Sequence, residues 1–193
     1  MKPDPRVFSH LARIFSYPDA ETLTHLERLE ELLEGQHERL NRLSRFADLI
    51  RLNGIRLLEE VFTQAFDLST TNCLEVGWHL YGEDYKRGQF LVRMRAALAE
   101  KGIAESLELP DHLSHCLQLL SRLDDEDSEI FVGHFLQPAI TRIVKGLPEE
   151  NVYRGPIKLL YELLAEWAET EADLRTDPAT QSSFELPVLN GSC

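Results

Sequence analysis

Apolar residues recur at three- and four-residue spacing along most of this chain, which is the period of an amphipathic α-helix. The first such stripe begins at Val7 and follows Asp4 and Pro5, a pair typical of an N-cap and a first helical residue. Later stripes end at glycine or at clusters of polar residues. In this half of the chain the pattern predicts helices over residues 5–16, 23–35 and 38–65, the last with a bend at 53–54.

Glycine, proline and acidic residues mark the helix boundaries further along the chain. Gly82 and Gly102 are placed as a turn and a stop, the acidic run at 124–127 suits a helix start, and Pro138 is expected to kink its helix. The periodicity ends near residue 176, and no segment alternates like a β-strand. The pattern predicts an all-α fold, with a compact domain of about eight helices at 1–175 and a mobile tail at 176–193. The remaining helices are expected over residues 72–81, 84–101, 110–120 and 124–143, and from 156 onwards.

The composition is that of a soluble globular protein, with 43% hydrophobic and 27% charged residues. No stretch reaches the roughly 18 apolar residues of a membrane span, and the N-terminus lacks the basic and apolar regions of a secretory signal. We therefore expect a cytoplasmic protein without membrane insertion. Cys73, Cys116 and Cys193 are odd in number and show no CxxC spacing, so we expect free thiols.

The net charge of −13 restricts the class of partner. A nucleic-acid backbone needs a basic face, so the charge argues against binding to DNA or RNA. The same charge would attract and steer a basic peptide or protein. It is equally consistent with acidic residues that only keep the protein soluble.

The stretch HLYGEDYKRGQF at residues 79–90 stands out because it places two glycines among helix-forming residues. Gly82 is expected to form the turn between two helices, and Asp84 to begin the second of them. Glu83 is spaced for an ion pair with Arg87 one helical turn on. Gly88 is expected to allow a close approach to a neighbouring helix.

Residues with chemical potential cluster near residue 110, but no catalytic motif accompanies them. Glu108, Asp111 and His112 would suit general acid–base catalysis in a helical enzyme. His112, His115 and Cys116 are residue types that bind zinc, and their spacing would place all three on one side of a helix. A metal-dependent regulator could use such a set. The ordinary structural interpretation makes these groups caps, ion pairs and core residues, with Asp111 after Pro110 as an N-cap candidate. Both functional alternatives stay open at this point, although a binding function is favoured.

Three motifs in order resemble the NarJ family of nitrate reductase assembly chaperones, within the wider TorD/DmsD superfamily of molybdoenzyme chaperones. They are Phe66-Asp67-Leu68, then HLYGED with Arg87-Gly88, and then Glu108-Leu109-Pro110-Asp111-His112-Leu113. Asn151-Val152-Tyr153 is similar to the family's Asn-Pro-Tyr before its last helix. Two departures from the family pattern, Ser114 and Val152, occupy positions where proline is usual.

The resemblance implies a non-enzymatic cytoplasmic chaperone with an all-helical fold. Such proteins bind the N-terminal segment of a molybdenum-containing catalytic subunit, often a twin-arginine signal peptide or its remnant. They hold that subunit until its bis-molybdopterin guanine dinucleotide cofactor is inserted, and bind no cofactor or metal tightly themselves. The expected state is a monomer or a weak dimer, with no nucleic acid as partner.

A peptide of this kind combines positive charge with an apolar stretch, so its groove needs an apolar floor and an acidic rim. Trp78, Leu80, Tyr81 and Tyr85 are expected to provide the floor and walls. The acidic rim is expected to come from Glu83, Asp84, Glu108 and Asp111. Position 112 is similar to one that the wider superfamily uses in peptide binding. The residues expected to bind the peptide are Trp78, Leu80, Tyr81, Glu83, Asp84, Tyr85, Arg87, Glu108, Pro110, Asp111 and His112, with Phe66, Asp67, Gly82 and Gly88 in structural roles.

Overall fold

Ten α-helices follow one another in the computed structural model, which describes residues 2–174 and the side chains up to residue 167. Within this described part there is no strand, only an isolated β-bridge. The predicted all-α class is therefore confirmed. The helices are α1 (Pro5–Ile14), α2 (Thr22–Leu32), α3 (His37–Asn53), α4 (Ile55–Phe62), α5 (Val76–Tyr81), α6 (Tyr85–Glu100), α7 (Leu113–Leu120), α8 (Asp125–Phe131), α9 (Gln137–Gly146) and α10 (Arg154–Leu174).

Three helix starts follow directly from aspartate side chains in the sequence. Each of these carboxylates accepts a hydrogen bond from a backbone N–H in the first turn of its helix, a group that no carbonyl within the helix can reach. The predicted caps at Asp4 and Asp84 are confirmed, as is the acidic start of α8. The bonds run from Arg6 N to Asp4 (2.9 Å), from Lys86 N to Asp84 (2.8 Å) and from Asp127 N to Asp124 (2.9 Å).

The helix predicted over residues 38–65 is wrong in its continuity, because Gly54 divides it into α3 and α4. Gly54 has φ +77° and ψ 179°, a conformation that only glycine adopts at little cost. The chain therefore breaks at this residue instead of bending. α4 then runs into a π-helical turn, Thr63–Asp67, where a break in the helix was expected.

The second predicted long helix, over residues 124–143, is also interrupted. A π-helical turn, Val132–Leu136, separates α8 from α9, and Pro138 lies in the first turn of α9. Proline has no N–H to donate to the preceding turn, and the wider turn just before it accommodates that missing bond. The predicted interruption is present, but it lies before the proline.

Residues 72–75 are not helical, in contrast to the helix predicted over 72–81. They run alongside the segment before α7, where Glu75 and His112 form the isolated antiparallel bridge. Val76 N donates to Asp111 O (2.9 Å) and Leu113 N donates to Leu74 O (2.7 Å). These bonds join the starts of α5 and α7, so that two helix N-termini lie side by side.

The core is built around α10, which packs on α3 and α9, while α1 packs on α2 and α7. Tyr153, just before α10, is fully buried, with its ring between 5.0 and 5.7 Å from those of Phe46, Phe62 and Phe66. Asn151 Oδ1 accepts a hydrogen bond from Tyr153 N (2.9 Å). The residues that resemble the family's Asn-Pro-Tyr therefore lie directly before α10. This helix begins at Arg154, two residues before the Pro156 start that the sequence predicted.

Two of the three cysteines lie within the described residues. Cys73 and Cys116 are free thiols, as predicted, while Cys193 and the expected tail at 176–193 lie outside the described residues. None of the helices within residues 2–174 combines the length and the apolar character that a membrane span requires.

Candidate functional site

Asp111 lies at the junction of α5 and α7, where it is fully buried. Its Oδ2 accepts a hydrogen bond from Gly77 N (3.0 Å) in the first turn of α5, where Glu75 at the N-cap position makes no side-chain cap. Asp111 thus caps a helix that is distant in sequence. The two roles expected for it, an exposed acidic rim and the cap of its own helix, are both wrong.

Gly77, and not Gly88, is the glycine that allows a close approach. A Cβ on Gly77 would lie 2.6 Å from Asp111 Oδ2 and 2.9 Å from Phe90 Cδ1, whereas a Cβ on Gly88 would meet nothing within 4 Å. The role expected for Gly88 is therefore wrong. Gly82, in contrast, is confirmed as the turn between α5 and α6, with φ +59°.

Arg87 connects the exposed stretch at 79–90 to this buried junction. Its Nε lies 3.7 Å from Asp111 Oδ2, and its guanidinium carbon lies 5.4 Å from the centre of the Trp78 ring, within the range of a cation–π contact. The ion pair expected with Glu83 is replaced by these two contacts. Trp78 is half-buried, and its Nε1 donates to Thr70 O (3.0 Å).

Burial raises the pKa of Asp111, and the Arg87 charge acts in the opposite direction. A carboxylate in the interior has lost its hydration, which disfavours the charged form unless a positive group is near. Arg87 is the cation beside this carboxylate and therefore stabilises its charged form. The Trp78 ring in turn holds the guanidinium in place.

His112 is buried and acts as the N-cap of α7. Its Nδ1 accepts a hydrogen bond from Ser114 N (3.3 Å), and the Ser114 hydroxyl lies 2.7 Å from the same nitrogen. Burial, with a smaller contribution from His115, lowers the pKa of His112 to about 3, so the ring is neutral near pH 7. A proline at position 114 would have no N–H to donate, so the departure from the family pattern supplies this cap bond.

The two alternative chemistries expected near residue 110 are not supported. His115 uses both ring nitrogens, Nδ1 towards Leu109 O (2.9 Å) and Nε2 as acceptor from Ser106 N (3.1 Å). Cys116 is buried and donates to Asp111 O (3.5 Å). Within residues 2–174 no group of three histidine, cysteine or acidic side chains is placed to hold a metal ion. Acid–base catalysis by Asp111 and His112 lacks access to a substrate, because both are buried.

The residues predicted to bind a peptide do not form one surface. Pro110, Asp111 and His112 are buried. Tyr81 is half-buried, with its ring 5.7 Å from that of Phe90, and Leu80 is half-buried against the core. Phe66 belongs to the core. Of the predicted peptide-binding residues, Glu83, Asp84 and Tyr85 are exposed and Glu108 is half-buried. Asp67, which was expected in a structural role, is exposed as well.

A different surface lies over the paired segments that precede α5 and α7. It joins exposed leucines to carboxylates and is called the acidic–leucine surface here. Leu107 is fully exposed, Leu68 is 77% exposed and Leu109 is 45% exposed. Burial raises the pKa of Glu108, and the charges of two further carboxylates raise it more. Asp67 and Glu75 lie near enough to Glu108 to act on it through their charge, and each exposed leucine is a chain neighbour of Asp67 or Glu108. We define the acidic–leucine surface as these six residues: Asp67, Leu68, Glu75, Leu107, Glu108 and Leu109.

None of these leucines was predicted to bind the peptide, and Leu68 and Leu109 were named only as members of the family motifs. The sequence does contain a feature that could have indicated their exposure. Leu107 and Leu109 alternate with Glu108 directly before a proline, in a stretch with no helical period. Leucines that no predicted helix face can bury are candidates for exposure. Gly77 was missed as well, because a glycine inside a helix indicates a close approach without identifying the neighbour.

Comparison with known proteins places the chain in a family. The family model described as nitrate reductase delta subunit matches residues 29–144, more than half of the chain. No curated protein sequence matches the chain significantly. The matched region contains all three motifs that carry the resemblance to NarJ, together with the α5–α7 junction and the acidic–leucine surface. The chain therefore belongs to the nitrate reductase delta subunit family, the NarJ-type family of chaperones that assist the assembly of molybdenum-containing respiratory enzymes.

Proposed function

We propose that the acidic–leucine surface binds the N-terminal segment of the catalytic subunit of a molybdenum-containing respiratory enzyme, a nitrate reductase or a close relative. The protein holds that subunit while its cofactor is inserted. The observation that carries this proposal is the exposure of Leu68, Leu107 and Leu109 beside three carboxylates. Membership of a family that assists molybdoenzyme assembly supports the choice of partner.

The apolar part of such a segment would be bound by the leucines. Removing a leucine side chain from water is worth about 1.5–3 kcal/mol when its burial is complete. A leucine as exposed as Leu107 gains nothing from the protein's own fold. An apolar stretch of the partner, laid across all three side chains, would recover part of that free energy.

The basic part of the segment would be attracted by the carboxylates. Asp67 and Glu75 raise the pKa of Glu108 through their charge, which means that each of them repels the Glu108 carboxylate. An arginine or lysine placed among them relieves that repulsion. The net charge of −13 adds long-range attraction for a cationic segment.

Calorimetric titration with synthetic N-terminal segments of candidate catalytic subunits tests the leucines. We expect a dissociation constant near or below about 1 µM for the cognate segment, and a loss of about tenfold or more in the Leu107→Ser, Leu109→Ser double variant. Leu52→Ser is the matched control, since Leu52 is 81% exposed on α3. An equal loss in both variants, or no heat with any segment while the protein is folded, would contradict the proposal.

The charge contribution is tested with Glu108→Lys and with salt. We expect Glu108→Lys to weaken binding more than Asp48→Lys, because Asp48 is exposed on α3, outside the acidic–leucine surface. Binding of the cognate segment should also weaken as salt screens the exposed charges. Affinity that is independent of both changes would show that the carboxylates do not take part.

The proposal also covers the protein's location, its oligomeric state and the absence of a cofactor of its own. The protein acts in the cytoplasm as a monomer or a weak dimer, without catalysis of its own and without a tightly bound cofactor. The molybdenum cofactor is carried by the client subunit. Light scattering over a concentration series, together with metal and pterin analysis of the purified protein, would test these statements.

A further inference from the structure

A polar pocket of about 300 Å³ lies between α3, the loop before α10 and the first turns of α10. Four cationic side chains line it: Arg42, Arg45, Arg154 and Lys158. In a chain with a net charge of −13, this is a local concentration of positive charge. The pocket shares no residue with the acidic–leucine surface.

The framework of the pocket is held by backbone contacts. Arg45 donates to the carbonyl oxygens of Glu149 (3.2 Å) and Glu150 (3.0 Å). Arg154 donates to Val144 O (2.8 Å) at the end of α9, where unpaired carbonyls attract a cation. A Cβ on Gly155 would overlap the carbonyl oxygen of Arg42. α10 and α3 therefore meet backbone to backbone at this point, and the cations are positioned by the fold.

One exposed glutamate partly neutralises the pocket. Glu149 Oε1 lies 2.6 Å from Arg154 Nη2, and its Oε2 lies 3.5 Å from Lys158 Nζ. Its side chain is 74% exposed, and the Arg154 hydrogen bond is the main reason why its pKa is lowered. A second carboxylate, that of Glu162, pairs with Arg42, with its Oε1 2.7 Å from Arg42 Nη2. Arg154, Lys158 and Arg42 thus pair with two carboxylates, while Arg45 donates to backbone carbonyl oxygens. The exposed Glu149 side chain is the one of the two carboxylates that solvent reaches most readily.

We propose that this pocket is a binding site for a phosphate or pyrophosphate group, which takes the place of the Glu149 carboxylate. A carboxylate ligand would bring the single charge that Glu149 already provides. A phosphate brings more charge and three acceptor oxygens, which suits a set of arginines and a lysine. The start of α10 adds the positive end of its helix dipole. The group is either a free phosphate species or the diphosphate of a nucleotide.

Titration of the full chain with sodium pyrophosphate at low ionic strength tests the site, because screening is weakest there. The two kinds of variant are expected to act in opposite directions. Glu149→Gln removes the internal competitor and should tighten binding about two- to fivefold, the range of an exposed ion pair. Lys158→Gln should weaken binding about tenfold through loss of a charge-assisted bond. Glu31→Gln is the matched control. It removes an exposed carboxylate that pairs with Arg28 on α2, away from the pocket.

The same titration with a nucleoside diphosphate identifies the source of the group. Tighter binding than that of pyrophosphate assigns the site to a nucleotide, and equal or weaker binding assigns it to the phosphate group alone. The proposal is overturned if Glu149→Gln binds pyrophosphate no better than the wild type or if Lys158→Gln binds it equally well. Circular dichroism of each variant checks that it is folded. Either failure leaves the acidic–leucine surface and the proposed function untouched.

Discussion

A single methyl group at position 77 tests how the junction of α5 and α7 is built. The Cβ of Gly77→Ala would lie 2.6 Å from Oδ2 of Asp111 and 2.9 Å from Cδ1 of Phe90. Both neighbours are buried side chains within packed surroundings. The methyl group would therefore displace the Asp111 carboxylate from the Gly77 N–H or push the Phe90 ring against its neighbours.

The expected loss in the free energy of unfolding combines three effects. Overpacking costs about 1–3 kcal/mol, and weakening a hydrogen bond to a charged acceptor costs about 1.5–3 kcal/mol. Alanine returns up to about 1 kcal/mol through its helix propensity. We expect a net loss of about 2–4 kcal/mol, which in a chain of this size lowers Tm by about 5–15 °C.

Gly88→Ala is the matched control for this prediction. Gly88 also lies inside a helix, α6, but a Cβ there meets no atom within 4 Å. The same substitution should therefore raise the free energy of unfolding by about 0.5–1 kcal/mol, since alanine loses less backbone freedom on folding. The two variants differ in their neighbours and not in the chemical change.

Urea and thermal unfolding followed by far-ultraviolet circular dichroism would measure both variants. The interpretation requires opposite signs, with Gly77→Ala less stable and Gly88→Ala more stable than the wild type. If Gly77→Ala unfolds at the wild-type urea concentration, the contact with Asp111 and Phe90 does not exist as described. If both variants are destabilised equally, helix position and not the junction determines the cost.

The buried ionisable groups of the junction give two further predictions. The pKa of His112 is about 3 in the folded protein and about 6.5 in the unfolded chain. Below about pH 6.5 the unfolded chain therefore binds a proton that the folded protein does not. The free energy of unfolding is highest above about pH 6.5 and decreases as the pH falls. We expect His112→Asn, which can keep the cap, to remove about 1.6 kcal/mol of the decrease in unfolding free energy between pH 6.5 and 5; an unchanged decrease would show that His112 is not buried in its neutral form. Arg87→Gln should cost about 2 kcal/mol because it leaves Asp111 buried without its cation, and much less in an Asp111→Asn background. Equal costs in the two backgrounds of such a double-mutant cycle would show that the pair is not coupled.

Local interactions explain why much of the helical structure was predictable. The caps at Asp4 and Asp84 and the turn at Gly82 depend on bonds or backbone angles within three residues. The apolar stripe that begins at Val7 likewise lies on the buried face of α1. Two predicted helices are divided in the structure, one at Gly54 and one before Pro138. The sequence identified the glycine and the proline as places where a helix bends, but it did not show that each helix divides in two.

The site depended on tertiary contacts that the sequence pattern does not encode. Asp111 looked like a local cap or a surface charge, yet it caps α5 because residues 72–75 pair with the segment before α7. Gly77 and Gly88 are alike in sequence terms and differ in whether a neighbour lies against them. The sequence by itself determined the all-α class, the local caps, the acidity and the family motifs, because these reside in short-range bonds and composition. Burial of Asp111 and exposure of Leu107 were decided by the tertiary structure, since both depend on which segments of the folded chain lie against each other.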